Sequence, residues 1–154
     1  MRRKDREVTD LSRINELLSG CKVCRMAMCD GGKPYIVALN FGYTEEKGIF
    51  TFYFHSATEG RKLDILKVNP AVCLELDRSG DVVESNNPCA YGYQFASVIA
   101  QGKVEFLETA RDKAYALNRL MLHMTGKECN FTPQMTEGVC VYKVTADSLS
   151  CKIR

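Results

Sequence analysis

The sequence predicts a mainly β protein, a small six-stranded antiparallel barrel with helices around its periphery. Three observations support this class. The apolar stretches are mostly short, rich in β-branched and aromatic residues, and separated by turn residues. Two hairpin signals follow one another, which favours antiparallel strands. The 154 residues have the length and the composition, 45% hydrophobic and 26% charged, of one globular domain, residues 1–154.

The charge balance and the absence of long apolar runs exclude several function classes. The 21 basic and 19 acidic residues give a net charge of +2 and are spread along the chain, so we expect no nucleic-acid partner. No apolar run approaches the roughly 20 residues of a membrane-spanning helix. The N-terminal run MRRKDREVTD lacks the apolar segment of a secretory signal. We therefore expect a cytoplasmic protein with no membrane partner.

A helix opens the chain, and two hairpins follow it. Thr9 and Asp10 give a polar start to an apolar stripe with helical spacing, which Gly20 ends. Asp30-Gly31-Gly32-Lys33 predicts a tight turn, because adjacent glycines adopt positive φ without strain. A second turn is predicted at 44–48. The strands joined by these turns are 22–29, 35–43 and 49–55, and their order predicts an antiparallel meander.

Two further helices and the remaining strands complete the prediction. Ser56-Ala57-Thr58-Glu59 has the form of a helix capping box, and Asn69-Pro70 ends the short helix that follows. Thr109-x-x-Asp112 caps a longer helix that ends at Gly126. Gly102 lies in a stretch, 94–108, that is too long for a flat strand, so it predicts a bulge or bend. The other predicted segments are strands at 71–77 and 138–146, a strand at 149–153 that pairs after them, and a loop at 78–88.

Eight cysteines raise the question of disulfides or a metal site. They are Cys21, Cys24, Cys29, Cys73, Cys89, Cys129, Cys140 and Cys151. Without a secretory signal we expect reduced thiols. Four of them lie in apolar runs, where a thiol packs as a small hydrophobic group: Cys24, Cys29, Cys73 and Cys140. Cys21-x-x-Cys24 has no second pair to complete a four-ligand zinc site, so we expect no metal, and a thiol or zinc protein remains a third alternative.

The segment 53–64 carries chemistry that the residues themselves indicate. The strand that ends at His55 leads directly to Gly60, Arg61 and Lys62 at a helix start. Amides at a helix N-terminus point toward an anion, and the two cations add charge, so this turn predicts a phosphate site. The alternative is an ordinary first turn with solvated cations. His55 is either structural or a hydrogen-bond and proton donor, whereas His123 has no such context and is interpreted as structural or exposed.

Five runs of the sequence resemble one known family. In chain order they are MRRKDREVTD, NFGY, YFHSATEGRKLD, NPAVCLELD and SVIAQGKVEFLE. They are similar, over nearly the whole chain, to the 5-nitroimidazole-resistance type of the pyridoxamine 5′-phosphate oxidase-like superfamily. The resemblance implies a split β-barrel that forms a homodimer and binds a flavin nucleotide at the dimer interface. The implied cofactor is FMN, with FAD as the alternative.

The resemblance also implies roles for individual residues. A strand backbone that lies against the isoalloxazine ring corresponds to Tyr35, Ile36, Val37, Ala38, Leu39 and Asn40. Phe54 and His55 correspond to adjacent positions, and Ser97 to a polar residue that opens the long strand. Arg61 and Lys62 correspond to the phosphate ligands, so the resemblance and the turn predict the same phosphate site.

Departures from the family pattern narrow the expected function. The chain has no tryptophan and ends at Lys152-Ile153-Arg154, without the segment that holds the pyridoxal substrate in the vitamin-making oxidases, so that reaction is not expected. Phe95-Ala96 replaces the Tyr-Arg that usually precedes Ser-Val-Ile in the nitroimidazole branch. The resemblance implies an oxidoreductase in which His55 is catalytic and a small electron-poor acceptor, such as a nitroimidazole or other nitro compound, is reduced. The alternative is a flavin-binding or storage module without efficient turnover.

Overall fold

A single antiparallel sheet dominates the computed structural model, which describes residues 3–154. Its strands are β1 (Glu7–Val8), β2 (Cys24–Asp30), β3 (Lys33–Leu39), β4 (Gly42–Glu46), β5 (Ile49–Ser56), β6 (Ala71–Val83), β7 (Gly92–Phe106) and β8 (Cys140–Ile153). The α-helices are α1 (Leu11–Gly20), α2 (Arg61–Val68) and α3 (Ala110–Thr125). The mainly β class is confirmed, with eight described strands rather than six. Residues 1 and 2 of the run MRRKDREVTD lie outside the described residues.

The sheet order differs from the predicted meander. The strands lie in the order β3-β2-β6-β7-β8-β5-β4, and β1 pairs with β8. The successive strands β3 and β4 are therefore at opposite ends, and within residues 3–154 no pairing between them closes the sheet into a barrel. The predicted strand 35–43 is interrupted at Asn40 and Phe41, where the Phe41 side chain is fully buried.

Two apolar cores hold the helices against the sheet. The larger one contains side chains from α1, α2 and the inner sheet face, among them Leu18, Met26, Phe52, Leu66 and Leu74. Complete burial of such a side chain contributes roughly 1.5–3 kcal/mol before entropy losses are counted. The smaller core lies under α3 and contains Tyr53, Leu107, Ala116, Leu117 and Val141. Strand β5 contributes side chains to both cores, because its alternate residues face opposite sides of the sheet.

Several local predictions are confirmed. Gly31 and Gly32 have φ of 56° and 86° in the β2–β3 turn. The amide of Asp112 donates to Thr109 Oγ1 at 3.1 Å, and Gly126 ends α3 with φ 75°. The pairing of β7 with β8 shifts at Gly102, where an added Cβ would overlap the Thr145 carbonyl oxygen. That close backbone approach explains why glycine is needed at the bend.

Two local predictions are wrong. Strand β5 extends to Ser56, whose hydroxyl donates to the Ala57 carbonyl at 2.8 Å, so the predicted capping box does not form and Gly60 caps α2. The predicted loop 78–88 instead continues β6 as far as Val83, after a bulge between Ser79 and Val82. This part of the hairpin is solvated on both faces, so its polar composition resembles that of a loop. None of the helices in residues 3–154 has both the length and the apolar composition needed to cross a membrane.

Candidate functional site

The turn between β5 and α2 carries most of the predicted site. Gly60 caps α2 with φ 137°, a conformation that glycine adopts readily and other residues rarely do. Its carbonyl accepts hydrogen bonds from the amides of Leu63 and Asp64, at 2.8 and 3.2 Å. The amides of Arg61 and Lys62, in the first turn, have no carbonyl partner within the helix. The turn therefore presents donors suited to an anion.

Arg61 extends from this turn to the β2–β3 hairpin. Its Nη2 donates to Asp30 Oδ2 at 3.1 Å, and its Cζ lies 4.5 Å from the centre of the Tyr35 ring. The side chains of Arg61 and Asp30 are 61% and 44% exposed, so the ion pair contributes only about 0.2–1 kcal/mol. Arg61 is thus held near the start of β3 by contacts that a stronger anionic ligand can replace.

Lys62 leans over the sheet instead of extending into solvent. It is half-buried, and its Nζ lies 5.5 Å from the centre of the Tyr142 ring on β8. Partial burial lowers the pKa of Lys62, and nearby Cys140 opposes that shift. Lys62 is therefore only partly solvated, whereas Arg61 is exposed.

His55 lies at the end of β5, beside the same turn. Its side chain is exposed on the face opposite the buried Phe54, and its partner in the neighbouring strand is Val141. Partial desolvation lowers the pKa of His55, and the charge of Lys62 lowers it further. The imidazole is therefore neutral near pH 7, with one donor and one acceptor nitrogen.

Strand β3 forms an edge of the sheet near Arg61. The side chains that pack toward the core are Tyr35, Val37 and Leu39. Ile36 and Ala38 face outward, and Ile36 is 61% exposed. Among the described strands β3 pairs only with β2, so one side of its backbone is free of strand partners. Free backbone groups beside small apolar side chains give a flat surface on which a planar ring can lie.

Three other predicted residues do not contribute side chains to this cluster. The Asn40 side-chain amide donates to the Lys22 carbonyl at 2.9 Å and so holds the chain where it leaves β3. Phe54 is 1% exposed and stacks on Tyr142 at 5.6 Å, which places its side chain in the core. Ser97 lies on β7, and β2 and β6 separate that strand from β3. Within one chain, the structure does not bring Ser97 to the turn.

Tyr142 is a residue of this region that the sequence analysis missed. It is fully buried, and its hydroxyl has no hydrogen-bond partner among the described residues. Its ring lies between Phe54 and Phe106 and beneath the Lys62 ammonium. Burial raises the pKa of Tyr142, so the phenol stays neutral. The sequence analysis predicted a strand at 138–146, but no local signal indicated the contact with Lys62.

The Cys21–Cys24 pair is not suited to thiol chemistry. Both side chains are buried, and burial raises the pKa of Cys21 to about 11 and that of Cys24 to about 12. Protonated thiols are poor nucleophiles and poor metal ligands. All eight cysteines are free, and in the described part of the chain no three metal-ligating side chains form a metal-sized cluster. Cys29 is exposed at the hairpin end of β2, so its predicted burial is wrong.

His123 has a structural role. Its Nε2–H donates to the Cys21 carbonyl at 2.7 Å, and its ring packs against Phe41 at 4.4 Å between centres. Burial lowers the pKa of His123; the bond to Cys21 opposes this shift, and the charge of Lys22 adds to it. The residue joins α3 to the segment between α1 and β2, as the structural interpretation predicted.

The fold and the turn define a mainly β protein with a candidate anion site at a strand-to-helix junction. A family model described as pyridoxamine 5′-phosphate oxidase matches residues 10–153. The chain therefore belongs to the pyridoxamine 5′-phosphate oxidase family, as the five sequence runs indicated. A comparison with curated proteins finds no match.

Solved structures of similar fold include flavin-binding proteins. A candidate 5-nitroimidazole antibiotic resistance protein from Bacteroides thetaiotaomicron is 31% identical, with 96% of this chain and 86% of that one covered and a TM-score of 0.83. A FAD and heme binding protein from Mycobacterium smegmatis is 17% identical, with 96% and 73% covered and a TM-score of 0.82. A flavocytochrome from Azotobacter vinelandii is 18% identical, with 100% and 72% covered and a TM-score of 0.79. The last two likenesses concern the fold alone.

Proposed function

We propose that this protein binds a flavin nucleotide, FMN or FAD, and passes electrons from it to a small electron-poor acceptor such as a nitro compound. The observation that carries the proposal is the convergence of Arg61, Lys62 and His55 on one turn beside the edge strand β3. The names of similar proteins support it, since one concerns 5-nitroimidazole resistance and another FAD and heme binding.

The residues of the turn suit a flavin phosphate. The first-turn amides of α2 supply hydrogen-bond donors, and Lys62 supplies a half-buried charge. Arg61 gives up only a weak, exposed ion pair when it turns to a phosphate. The exposed Ile36 and Ala38 of β3, with the free backbone edge, suit one face of the isoalloxazine ring.

The chain itself orients the reactants and manages protons. A bound flavin supplies the redox chemistry, taking electrons from a reductant and giving them to an acceptor. His55, neutral near pH 7 and exposed, is placed to donate a hydrogen bond or a proton to a reduced acceptor. This role requires an accessible imidazole, and the His55 side chain is exposed.

We also propose that the protein works as a homodimer. Ile36 and Ile99 are 61% and 40% exposed and lie on the outer face of the sheet, where they offer apolar surface to a second copy. Ser97 shares that face but is remote from β3 within one chain, and in the proposed dimer the second copy supplies it to the flavin. We expect a total buried area above roughly 2,000 Å². A monomer at micromolar concentration that still retains flavin would contradict this arrangement.

Anaerobic reduction and reoxidation of the bound flavin test the catalytic proposal. The reconstituted protein is first reduced with a nicotinamide donor and then mixed with a nitroaromatic acceptor, and the flavin absorbance is followed. Rapid reoxidation, faster than that of free reduced flavin, is the expected result. Bound flavin that is not reoxidised by the acceptor would contradict the oxidoreductase and favour a binding or storage module.

A further inference from the structure

Three aromatic rings form a row across three neighbouring strands, beneath Lys62. Tyr142 on β8 is the register partner of Phe54 on β5 and of Phe106 on β7. The centre of the Tyr142 ring lies 5.6 Å from that of Phe54 and 5.9 Å from that of Phe106. Aromatic pairs that lie directly opposite each other on neighbouring strands attract, so the Tyr142 ring is held from both sides.

The Lys62 ammonium contacts the ring of Tyr142 and not its hydroxyl. Lys62 Nζ lies 5.5 Å from the ring centre, within the roughly 6 Å over which a cation and a ring attract. The Tyr142 hydroxyl has no hydrogen-bond partner among the described residues. Within residues 3–154 no carboxylate lies within salt-bridge distance of Lys62. The ring is therefore the contact that directs this ammonium.

The two cations of the turn differ in how they are held. Arg61 forms an ion pair with Asp30, and its side chain is 61% exposed. Lys62 is half-buried over a ring that the strands fix in place. A lysine side chain loses much rotamer freedom when it is ordered, and a ligand that must order it binds less tightly. A lysine that the protein itself holds in place avoids most of that cost.

We infer that Tyr142 is a positioning residue for the flavin phosphate. Its ring holds the Lys62 ammonium beside the first-turn amides of α2, so that the ammonium and the amides act on the same anion. The ring acts through Lys62 and touches neither the flavin nor the acceptor. The inference rests on the proposed function and adds to it a residue from a distant strand.

Titrations of the flavin-free protein with FMN and riboflavin test the inference. Tyr142→Leu should lower the ratio of FMN affinity to riboflavin affinity about three- to tenfold, because FMN must then order the Lys62 side chain itself. Tyr142→Phe keeps the ring, loses only the unpartnered hydroxyl and should give the wild-type ratio. Phe52→Leu is the matched control, because Phe52 is equally buried but its aromatic neighbours are Phe41 and Tyr43. It should lower the free energy of unfolding and leave the ratio unchanged.

A double-mutant cycle shows whether Tyr142 acts through Lys62. In the Lys62→Ala background, Tyr142→Leu should lower the ratio no further, because the side chain that the ring positions is absent. The same loss in both backgrounds would overturn the inference. So would a ratio that Tyr142→Leu leaves unchanged in the presence of Lys62.

A measurement on the wild-type protein does not depend on how well the leucine variant folds. Protons over the face of an aromatic ring are shifted upfield by its ring current. In NMR spectra the ε-methylene protons of Lys62, identified by their loss in Lys62→Ala, should therefore resonate upfield of those of the exposed Lys67. Coincident resonances would overturn the inference.

Failure of the proposed function gives a different result. If neither FMN nor riboflavin binds the wild-type protein, the flavin function is refuted, and this inference with it. If both bind equally well, flavin binding stands and the phosphate role of Lys62, with its positioning by Tyr142, is refuted.

Discussion

Replacement of Lys62 by alanine distinguishes between two roles of this residue, a ligand of the flavin phosphate and a cation that only stabilises the fold. Its ammonium lies over the Tyr142 ring, so the substitution removes a partly desolvated cation–π contact. Such a contact contributes roughly 0.5–2 kcal/mol, and the desolvation of the ammonium offsets part of it. The free energy of unfolding of the flavin-free protein should therefore fall by no more than about 1 kcal/mol.

The effect on flavin binding should be larger and specific for the phosphate. A charge-assisted hydrogen bond contributes roughly 1.5–3 kcal/mol, so Lys62→Ala should weaken FMN binding about ten- to a hundredfold. Riboflavin, which lacks the phosphate, should bind the variant and the wild type equally well. The difference between the two ligands isolates the phosphate contact from any general disturbance of the site.

The affinities for FMN and riboflavin are measured by fluorescence titration, and the free energy of unfolding by urea denaturation of the same samples. Lys67→Ala is the matched control, because Lys67 lies on the same helix, is exposed and carries the same charge. It should leave the affinity for both ligands within about twofold of the wild type. Equal loss of FMN and riboflavin affinity in Lys62→Ala would refute the assignment of Lys62 as a phosphate ligand.

Three further predictions concern catalysis, the sheet and the response to acid. His55→Gln should retain flavin but slow its reoxidation by a nitro acceptor in stopped-flow measurements, and an unchanged rate would exclude His55 from the reaction. Gly102→Ala should lower the free energy of unfolding by about 1–3 kcal/mol, because the added Cβ meets the Thr145 carbonyl; an unchanged urea midpoint would contradict this. The folded-state pKa of His123 is lowered, so its contribution to stability is present above about pH 6.5 and is lost as the pH falls below it. His123→Gln should flatten that part of the stability profile, and an identical profile would show that another group is responsible.

The sequence predicted those parts of the fold that depend on neighbouring residues. The glycine turn after Asp30 and the cap at Thr109 are interactions within a few residues, and both form as expected. The sheet order depends on pairing between distant segments, such as β2 with β6 and β5 with β8. Two hairpin signals in succession do not reveal that the chain breaks at Phe41 and that β3 and β4 lie at opposite ends of the sheet. The predicted meander was therefore wrong.

In the candidate site, too, the sequence predicted what depends on neighbouring residues and missed the contacts between distant segments. The order of His55, Gly60, Arg61 and Lys62 along the chain sufficed to predict their convergence at the end of β5. The contacts of Arg61 with Asp30 and of Lys62 with Tyr142 join segments remote in sequence, and no local pattern encodes them. The capping box failed because β-sheet pairing extended β5 through Ser56, which shows tertiary pairing overriding a local helix signal.

Reconstitution with flavin tests the central claim most directly. The purified protein is incubated with FMN or FAD and passed through a desalting column, and the absorbance and mass of the flavin that elutes with it are recorded. The account predicts stoichiometric flavin bound to the wild type and little bound to a variant in which Arg61 and Lys62 are both alanine. Flavin that separates from the wild type, or that the double variant retains equally well, would contradict it.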